Sequence, residues 1–324
     1  MFMKLVPEKT NVRFMHLRWP AFLLSVVLII ASIALVATRG LNFGIDFAGG
    51  SVIEIAQPED VNVEDARSVV GELPGIASLQ VNTARGTGAG ASDIIVIRFK
   101  AEAVGDENAE AAQQNANNRV RDALAESLPS VGEPLSSAAV GPKVSGELLR
   151  TGLTALGVAL ALMLVYIWFR FEWQFSLGAV AALVHDVILT IGMFALTQFE
   201  FNLTTIAALL TIIGYSMNDT VVVFDRVREE MRKYKKMPAA ELIDLALNGT
   251  LSRTLLTSGT TLLALMAIFF LGGPVLRGMS FALIWGVVIG TYSSIFVASS
   301  LLLTIGFDRE KKPLDDVPGF QGAP

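Results

Sequence analysis

Six stretches of this chain are apolar for long enough to cross a lipid bilayer, and that constrains its fold more than any other feature. They run near Trp19–Thr38, Arg150–Phe169, Trp173–Thr197, Asn202–Phe224, Ser252–Leu271 and Phe281–Thr304. Each is close to the roughly 20 residues of helix that a hydrocarbon core requires. Hydrophobic residues make up 52% of the chain and the mean hydropathy is +0.55, which is too apolar for an ordinary soluble domain. The first stretch has the look of a signal peptide. Its apolar core is too long, however, and no clean small-x-small cleavage site precedes Arg39, so an uncleaved anchor is expected.

Basic residues set the expected orientation, because they gather on the cytoplasmic side of a membrane. Lys4, Lys9, Arg13 and Arg18 precede the first stretch. Arg226, Arg228, Arg232, Lys233, Lys235 and Lys236 follow the fourth, and Arg309, Lys311 and Lys312 follow the sixth. The short connections 198–201 and 272–280 contain only Arg277. Both termini (1–18 and 305–324) are therefore expected in the cytoplasm, with a basic amphipathic loop over 225–251 and a domain of about 110 residues (39–149) on the far side. In the loop, Val227, Met231, Leu242, Leu245 and Leu247 are expected to cover the inner face of the bundle.

That outer domain reads as alternating short elements. Strands are expected at 44–56, 78–83, 93–100 and 138–144, with helices at 61–73 and 107–128 and a Gly-rich turn at 86–91. The order β-α-β-β-α-β is that of a small ferredoxin-like sandwich. The chain has no cysteine, so this domain must be held by its own core without disulfides. Three glycines in Gly44-Ile45-Asp46-Phe47-Ala48-Gly49-Gly50 point to a close backbone approach or a bulge where the chain leaves the membrane, with Asp46 bracing the turn. No nucleophile–base pairing, metal-ligand cluster or nucleotide loop is recognisable, and neither a cofactor nor a metal is expected. No basic segment with interleaved aromatics suggests nucleic acid.

Chemistry, if present, belongs to the polar residues inside the apolar stretches. Asp219 lies in the fourth, roughly 6–9 Å inside its cytoplasmic end at 1.5 Å per residue. An intramembrane carboxyl costs about 2.5–3.5 kcal/mol on insertion scales and commonly marks an ion route. The plainer alternative is a structural carboxyl bonded to a neighbouring helix. Arg253, at the start of the fifth stretch, is the natural counter-charge, or else an ordinary anchor that reaches back to the headgroups. Asn218 and the hydroxyl-rich run Thr257, Ser258, Thr260 and Thr261 suit close helix packing, with a relay of water or protons as the sharper alternative. His185-Asp186 in the third stretch reads either as a buried polar pair or as a proton relay.

Several motifs together carry a resemblance. They are Gly44 to Gly50, Gly141-Pro142-Lys143-Val144-Ser145-Gly146-Glu147-Leu148, His185-Asp186-Val187, the run Gly214 to Glu229 around Asp219, Arg253 to Thr261, and Gly272-Gly273-Pro274-Val275. The chain resembles the SecF-type members of the SecD/SecF family, within the resistance–nodulation–division superfamily. The resemblance implies a subunit of the bacterial protein-export machinery, multi-pass in the cytoplasmic (inner) membrane. It implies SecD as partner, contributing six further spans and a carboxylate that completes the site. It further implies association with the SecYEG channel, YajC and the translocating preprotein, and work after SecA has used ATP. Asp219 and Arg253 match the family's proton-pathway positions, so the implied energy source is the proton-motive force. Two rivals stand beside this reading: half of a proton-driven efflux pump, and a scaffold that stabilises a translocon without proton chemistry.

Overall fold

The computed structural model describes residues 10–84, 93–102, 108–272 and 274–306. The Gly-rich turn expected at 86–91, Gly273, and the tail residues Lys4, Lys9, Arg309, Lys311 and Lys312 lie outside the described residues. Six helices are long and apolar enough to cross a membrane. They are α1 (Arg18–Arg39), α5 (Pro142–Arg170), α6 (Trp173–Thr197), α7 (Leu203–Lys233), α8 (Ala239–Leu271) and α9 (Pro274–Ser293). The last continues through a π-helical segment, Ser294–Ala298, into α10 (Ser299–Ile305).

The helices divide into an inner and an outer set. In their most apolar windows, 61% of α6 is buried against 11% of α5. α7 and the α9–α10 helix bury about as much as α6, whereas α1 and α8 resemble α5. Apolar side chains on α1, α5 and α8, such as Leu23, Ile30, Leu162, Leu263 and Phe270, therefore face outward. In a bilayer this is no penalty, since lipid tails are as apolar as leucine. Polar groups collect instead on the inner helices, where side chains can satisfy one another.

Between α1 and α5 sits the outer domain: α2 (Ile45–Ala48), β1 (Gly50–Ala56), α3 (Val63–Gly71), β2 (Ile76–Ala84), β3 (Ile94–Ala101), α4 (Ala109–Ser127) and β4 (Ser136–Val140). The four strands form one antiparallel sheet in the order β2-β3-β1-β4. Ile53 pairs with Ile97 and Ile55 with Ile95, and these fully buried residues meet Phe99, Val81, Ala116, Val120 and Leu124 in a single core. Strand side chains alternate faces, so Val52, Glu54 and Arg98 lie on the other side of the sheet.

Several boundaries differ from the sequence reading. A single strand is not formed over 44–56: residues 45–48 make one helical turn and the strand starts at Gly50. The break falls where Gly49 and Gly50 take φ of +68° and +125°, a region that disfavours side chains. A Cβ on Gly50 would also lie 2.8 Å from the Phe99 carbonyl oxygen. The last strand ends at Val140, because Pro142 opens α5, which runs unbroken from the outer domain into the bundle. The stretch 225–251, expected as a loop that continues the preceding helix and opens a new one after Pro238, is helix except for 234–238 between α7 and α8. Its apolar side chains do pack inward: Val227, Leu242 and Leu247 are buried. Leu245 does not join them. It is 38% exposed, because at 100° per residue the face shared by Leu242, Ile243, Ala246 and Leu247 turns away from it.

Candidate intramembrane polar site

Two aspartates are buried in the core of the bundle, on neighbouring helices. Asp186 projects from α6 and is 1% exposed; Asp219 projects from α7 and is 9% exposed. Neither meets a cationic side chain of Lys or Arg among the described residues. Hydroxyls satisfy them instead. The Asp219 carboxylate accepts from Thr254 Oγ1 of α8 at 2.7 Å and from Ser294 Oγ at 2.8 Å. Asp186 Oδ2 accepts from Ser216 Oγ of α7 at 2.6 Å and from Ser293 Oγ at 2.8 Å. Its Oδ1 lies 2.9 Å from His185 Nδ1. Buried polar groups require such partners, because an unsatisfied one forfeits its hydration with nothing in return.

Close approach between helices makes these bonds possible. A Cβ on Gly290 would lie 3.1 Å from Ser216 Cβ, so this glycine lets α9 come near α7 at the level of Ser216. Two turns of hydroxyls then line the contact. Ser258 of α8 bonds Thr291 of α9 at 2.8 Å, and Tyr215 reaches Ser258 at 3.4 Å. The His185 ring stacks on Tyr292, with centroids 6.1 Å apart, and its Nε2 has no hydrogen-bond partner among the described residues. Tyr292 in turn donates to the Ala21 carbonyl and pairs with Ser25, tying α9 to α1. The π-helical segment begins at Ser294 itself, and Ser299 Oγ caps the Ser294 carbonyl at 2.9 Å. Single π turns of this kind recur at functional sites in helices.

The structure does not bring Arg253 to Asp219. The neighbouring Thr254 makes that contact, and the Arg253 side chain is exposed with no ion pair or hydrogen bond among the described residues. Successive helical residues diverge by about 100°, so with Thr254 turned into the bundle Arg253 must point out of it. Asn218, Thr257 and Thr260 are likewise exposed. Thr257, Thr260 and Thr261 donate to carbonyls within their own helix, those of Arg253, Leu256 and Thr257. Within the hydroxyl-rich run, Ser258 is the residue that turns inward. Sequence reasoning passed over Ser216, Ser293 and Ser294 as ligands of the carboxylates. A serine in an apolar helix is uninformative alone, since it can always bond its own backbone.

At the outer end of the bundle the glycine-rich exit segment is sewn to the α6–α7 connection. Gly44 N donates to the Phe201 carbonyl at 3.0 Å and Phe201 N to that of Asn42 at 2.7 Å. Asp46 Oδ2 accepts from Leu203 N, the first residue of α7, at 2.9 Å. Asp46 thus braces a helix 157 residues away rather than its own turn alone. Gly44 is packed against the Glu200 side chain. No group of three or more potential metal ligands occurs among the described residues.

Six bilayer-length helices, two aspartates bonded to hydroxyls in their core, and a small outer domain between the first two helices are the features of a multi-pass membrane protein. The chain belongs to the SecD/SecF family of protein-export membrane proteins and is a component of Sec export. Residues 120–308 match the family's "Protein export membrane protein SecD/SecF, C-terminal" model and residues 34–56 its GG-motif model. A protein translocase subunit SecF from Rhodobacter capsulatus is 48% identical over 98% of this chain and 96% of its own length. A protein translocase subunit SecDF from Brucella abortus is 40% identical over 97% of this chain, which spans 40% of that longer relative. The crystal structure of SecDF, a translocon-associated membrane protein from Thermus thermophilus, superposes with a TM-score of 0.76 at 35% identity. That match covers 94% of this chain and 39% of the other.

Proposed function

We propose that this chain pairs with SecD and uses the proton-motive force to promote late translocation of unfolded preproteins through the SecYEG channel, with YajC as an associated subunit and after SecA has acted. The observation that carries the reading is a buried carboxylate with polar side chains left on the outer surface of the same two helices. Asp219 is buried and bonded by hydroxyls, while Arg253, Asn218, Thr257 and Thr260 are left on the outer surface of α7 and α8. An exposed guanidinium and amide at this depth require a polar neighbour or water. A second helical bundle carrying a carboxylate would supply one. In this reading Arg253 faces SecD at the subunit boundary and Asp219 lies just inside it, and both termini are in the cytoplasm.

In this mechanism a proton arriving from the outer side neutralises Asp219. Thr254 and Ser294 then face a group that can donate as well as accept. Ser294 Oγ also lies 3.0 Å from the Thr291 carbonyl, so its single proton has a second acceptor ready and the switch leaves no group unpaired. Two packings of α7, α8 and the π segment differ by the direction of these bonds, and the charge state biases one over the other. The membrane potential contributes about 2.3 kcal/mol per charge per 100 mV, sufficient to shift a two-state equilibrium by more than tenfold. The chain acts as a transport component, not as an enzyme of soluble chemistry.

The test is export in proteoliposomes that contain this chain, SecD, SecYEG and SecA under an imposed proton gradient. Asp219→Asn and Arg253→Ala are expected to co-purify with SecD yet lose the gradient-dependent part of export. Full gradient-dependent export by Asp219→Asn would leave a scaffolding role in place of the proton-driven one.

A further inference from the structure

Arg98 and Glu200 are separated by 102 residues and belong to different parts of the molecule. Arg98 stands on β3 of the outer domain, on the sheet face away from α3 and α4. Glu200 stands in the connection between α6 and α7. Arg98 Nη2 donates to Glu200 Oε2, and the two side chains are 33% and 27% exposed. Among the described residues Arg98 Nε is buried without a hydrogen-bond partner, so the guanidinium has a further donor to give. One acidic side chain shares the same sheet face. Glu54 of β1 lies diagonally across from Arg98, because Val52 pairs with Arg98 and Glu54 with Val96. Such diagonal neighbours are within reach of long side chains.

We propose that Arg98 and Glu200 form a clasp that fastens the outer domain to the membrane bundle, and that the charge state of Glu54 sets how firmly it holds. The membrane jaw of the clasp is well placed for this. The connection that carries Glu200 joins the two helices that bear Asp186 and Asp219, and it is already bonded to the exit segment through Phe201 and Leu203. Movement of α6 against α7 therefore reaches Glu200 directly, and through Arg98 it reaches the sheet.

Glu54 works against the pair when ionised. Two carboxylates then compete for one guanidinium, and they repel each other across it. Protonation of Glu54 removes both effects and leaves Arg98 to Glu200 alone. Burial, partly offset by Arg98 and reinforced by Glu200, holds the Glu54 carboxyl above its ordinary value of 4.5. Acid on the outer side accordingly tightens the clasp, and alkali loosens it. Charged groups elsewhere on the surrounding elements include Lys100 on the same face of β3, Glu133 before β4, Asp46 of α2, Arg277 of α9 and Arg39 of α1, which donates to the Leu196 carbonyl. Asp46 is committed to Leu203 N. Gly278, next to Arg277, faces the Glu200 carbonyl, not its side chain.

The chain contains no cysteine, so two labels can be introduced cleanly. Spin labels at Thr83→Cys and Thr197→Cys, both exposed positions, report the distance between sheet and bundle in full-length protein in lipid. No gradient is applied, so the outcome is independent of whether Asp219 carries protons. A single distance is expected in mild acid, joined by a longer population in mild alkali. E54Q should keep the single distance in both, and E200Q should show the longer population in both. The charge swap R98E/E200R should restore the single distance in mild acid. Identical distance distributions for the native chain and E200Q, or a pH response that survives in E54Q, would overturn the proposal.

Discussion

Ser293 and Ser294 are adjacent in the chain, yet their hydroxyls serve different carboxylates: Ser293 donates to Asp186 and Ser294 to Asp219, each at 2.8 Å. One corner of a single helix thereby links the two buried acids of α6 and α7. The corner is also where regular α-helix gives way to the π segment.

Removing these hydroxyls one at a time should separate the two acids. Ser294→Ala takes a donor from Asp219 and leaves Asp186 untouched, and Ser293→Ala does the reverse. Each deletion leaves a buried acceptor short of a partner, a loss of about 1–3 kcal/mol. Both variants should unfold at lower temperature in detergent by similar amounts. Only Ser294→Ala should alter gradient-driven export beyond what that lost stability explains. Equal export defects would mean that the two carboxylates work as one unit.

Helix spacing offers a second contrast. A Cβ at Gly192 of α6 would lie 2.7 Å from the Cα of Ser32 in α1, whereas among the described residues nothing lies within 4 Å of one at Gly214. Gly192→Val must push α1 away from α6, and overpacking of this kind destabilises by about 1–3 kcal/mol. Gly214→Leu should leave the isolated chain as stable as before. Because Gly214 shares the outward face of α7 with Asn218, the same change should weaken co-purification with SecD. Thermal unfolding and pull-down from detergent extracts measure the two effects separately.

Asp46 reaches across the exit segment to the first amide of α7. Asp46→Ala removes the acceptor from a helix start, at a loss of about 0.5–2 kcal/mol. Asn keeps a side-chain oxygen and should recover most of it. Hydrogen exchange at the first turn of α7 is the direct readout, with faster exchange expected in Asp46→Ala alone.

Glu54 makes the stability of the folded chain depend on pH. Its folded carboxyl binds a proton more tightly than the ordinary value of 4.5, because burial opposes its charge. Below 4.5 both folded and unfolded chains hold that proton, and its contribution is complete. As the pH rises further the unfolded chain releases its proton first, and stability falls until the folded carboxyl has ionised too. Unfolding followed against pH should show this decline in the native chain and a flatter profile in Glu54→Gln. Parallel profiles would remove Glu54 as the cause.

Hydropathy was sufficient to find the six spanning helices, since each exceeds bilayer length without help from its neighbours. Asp219 and Asp186 were legible for a related reason: a carboxyl within an apolar run is conspicuous. Their partners were not. Ser216, Ser293 and Ser294 look like any small residues of a membrane helix, and only the approach of α9 at Gly290 shows which hydroxyls meet which acid. Between the two readings of Arg253, counter-charge of Asp219 or outward anchor, the sequence could not choose a direction, because one residue of helix rotates a side chain by about 100° and Thr254 took the inward place.

Local chemistry, repeated along the chain, determined the class of this protein. Apolar runs of this length fit helices that cross a membrane, alternation in the outer segment fits strands, and the glycines at 44–50 mark a close backbone approach or a bulge. Tertiary structure decided which polar groups stand together: Asp46 with the start of α7, Arg98 with Glu200, and the serine pair with two different aspartates. Those contacts join residues far apart in the chain. They depend on helix rotation and inter-helix distance, which arise only when all the helices pack at once.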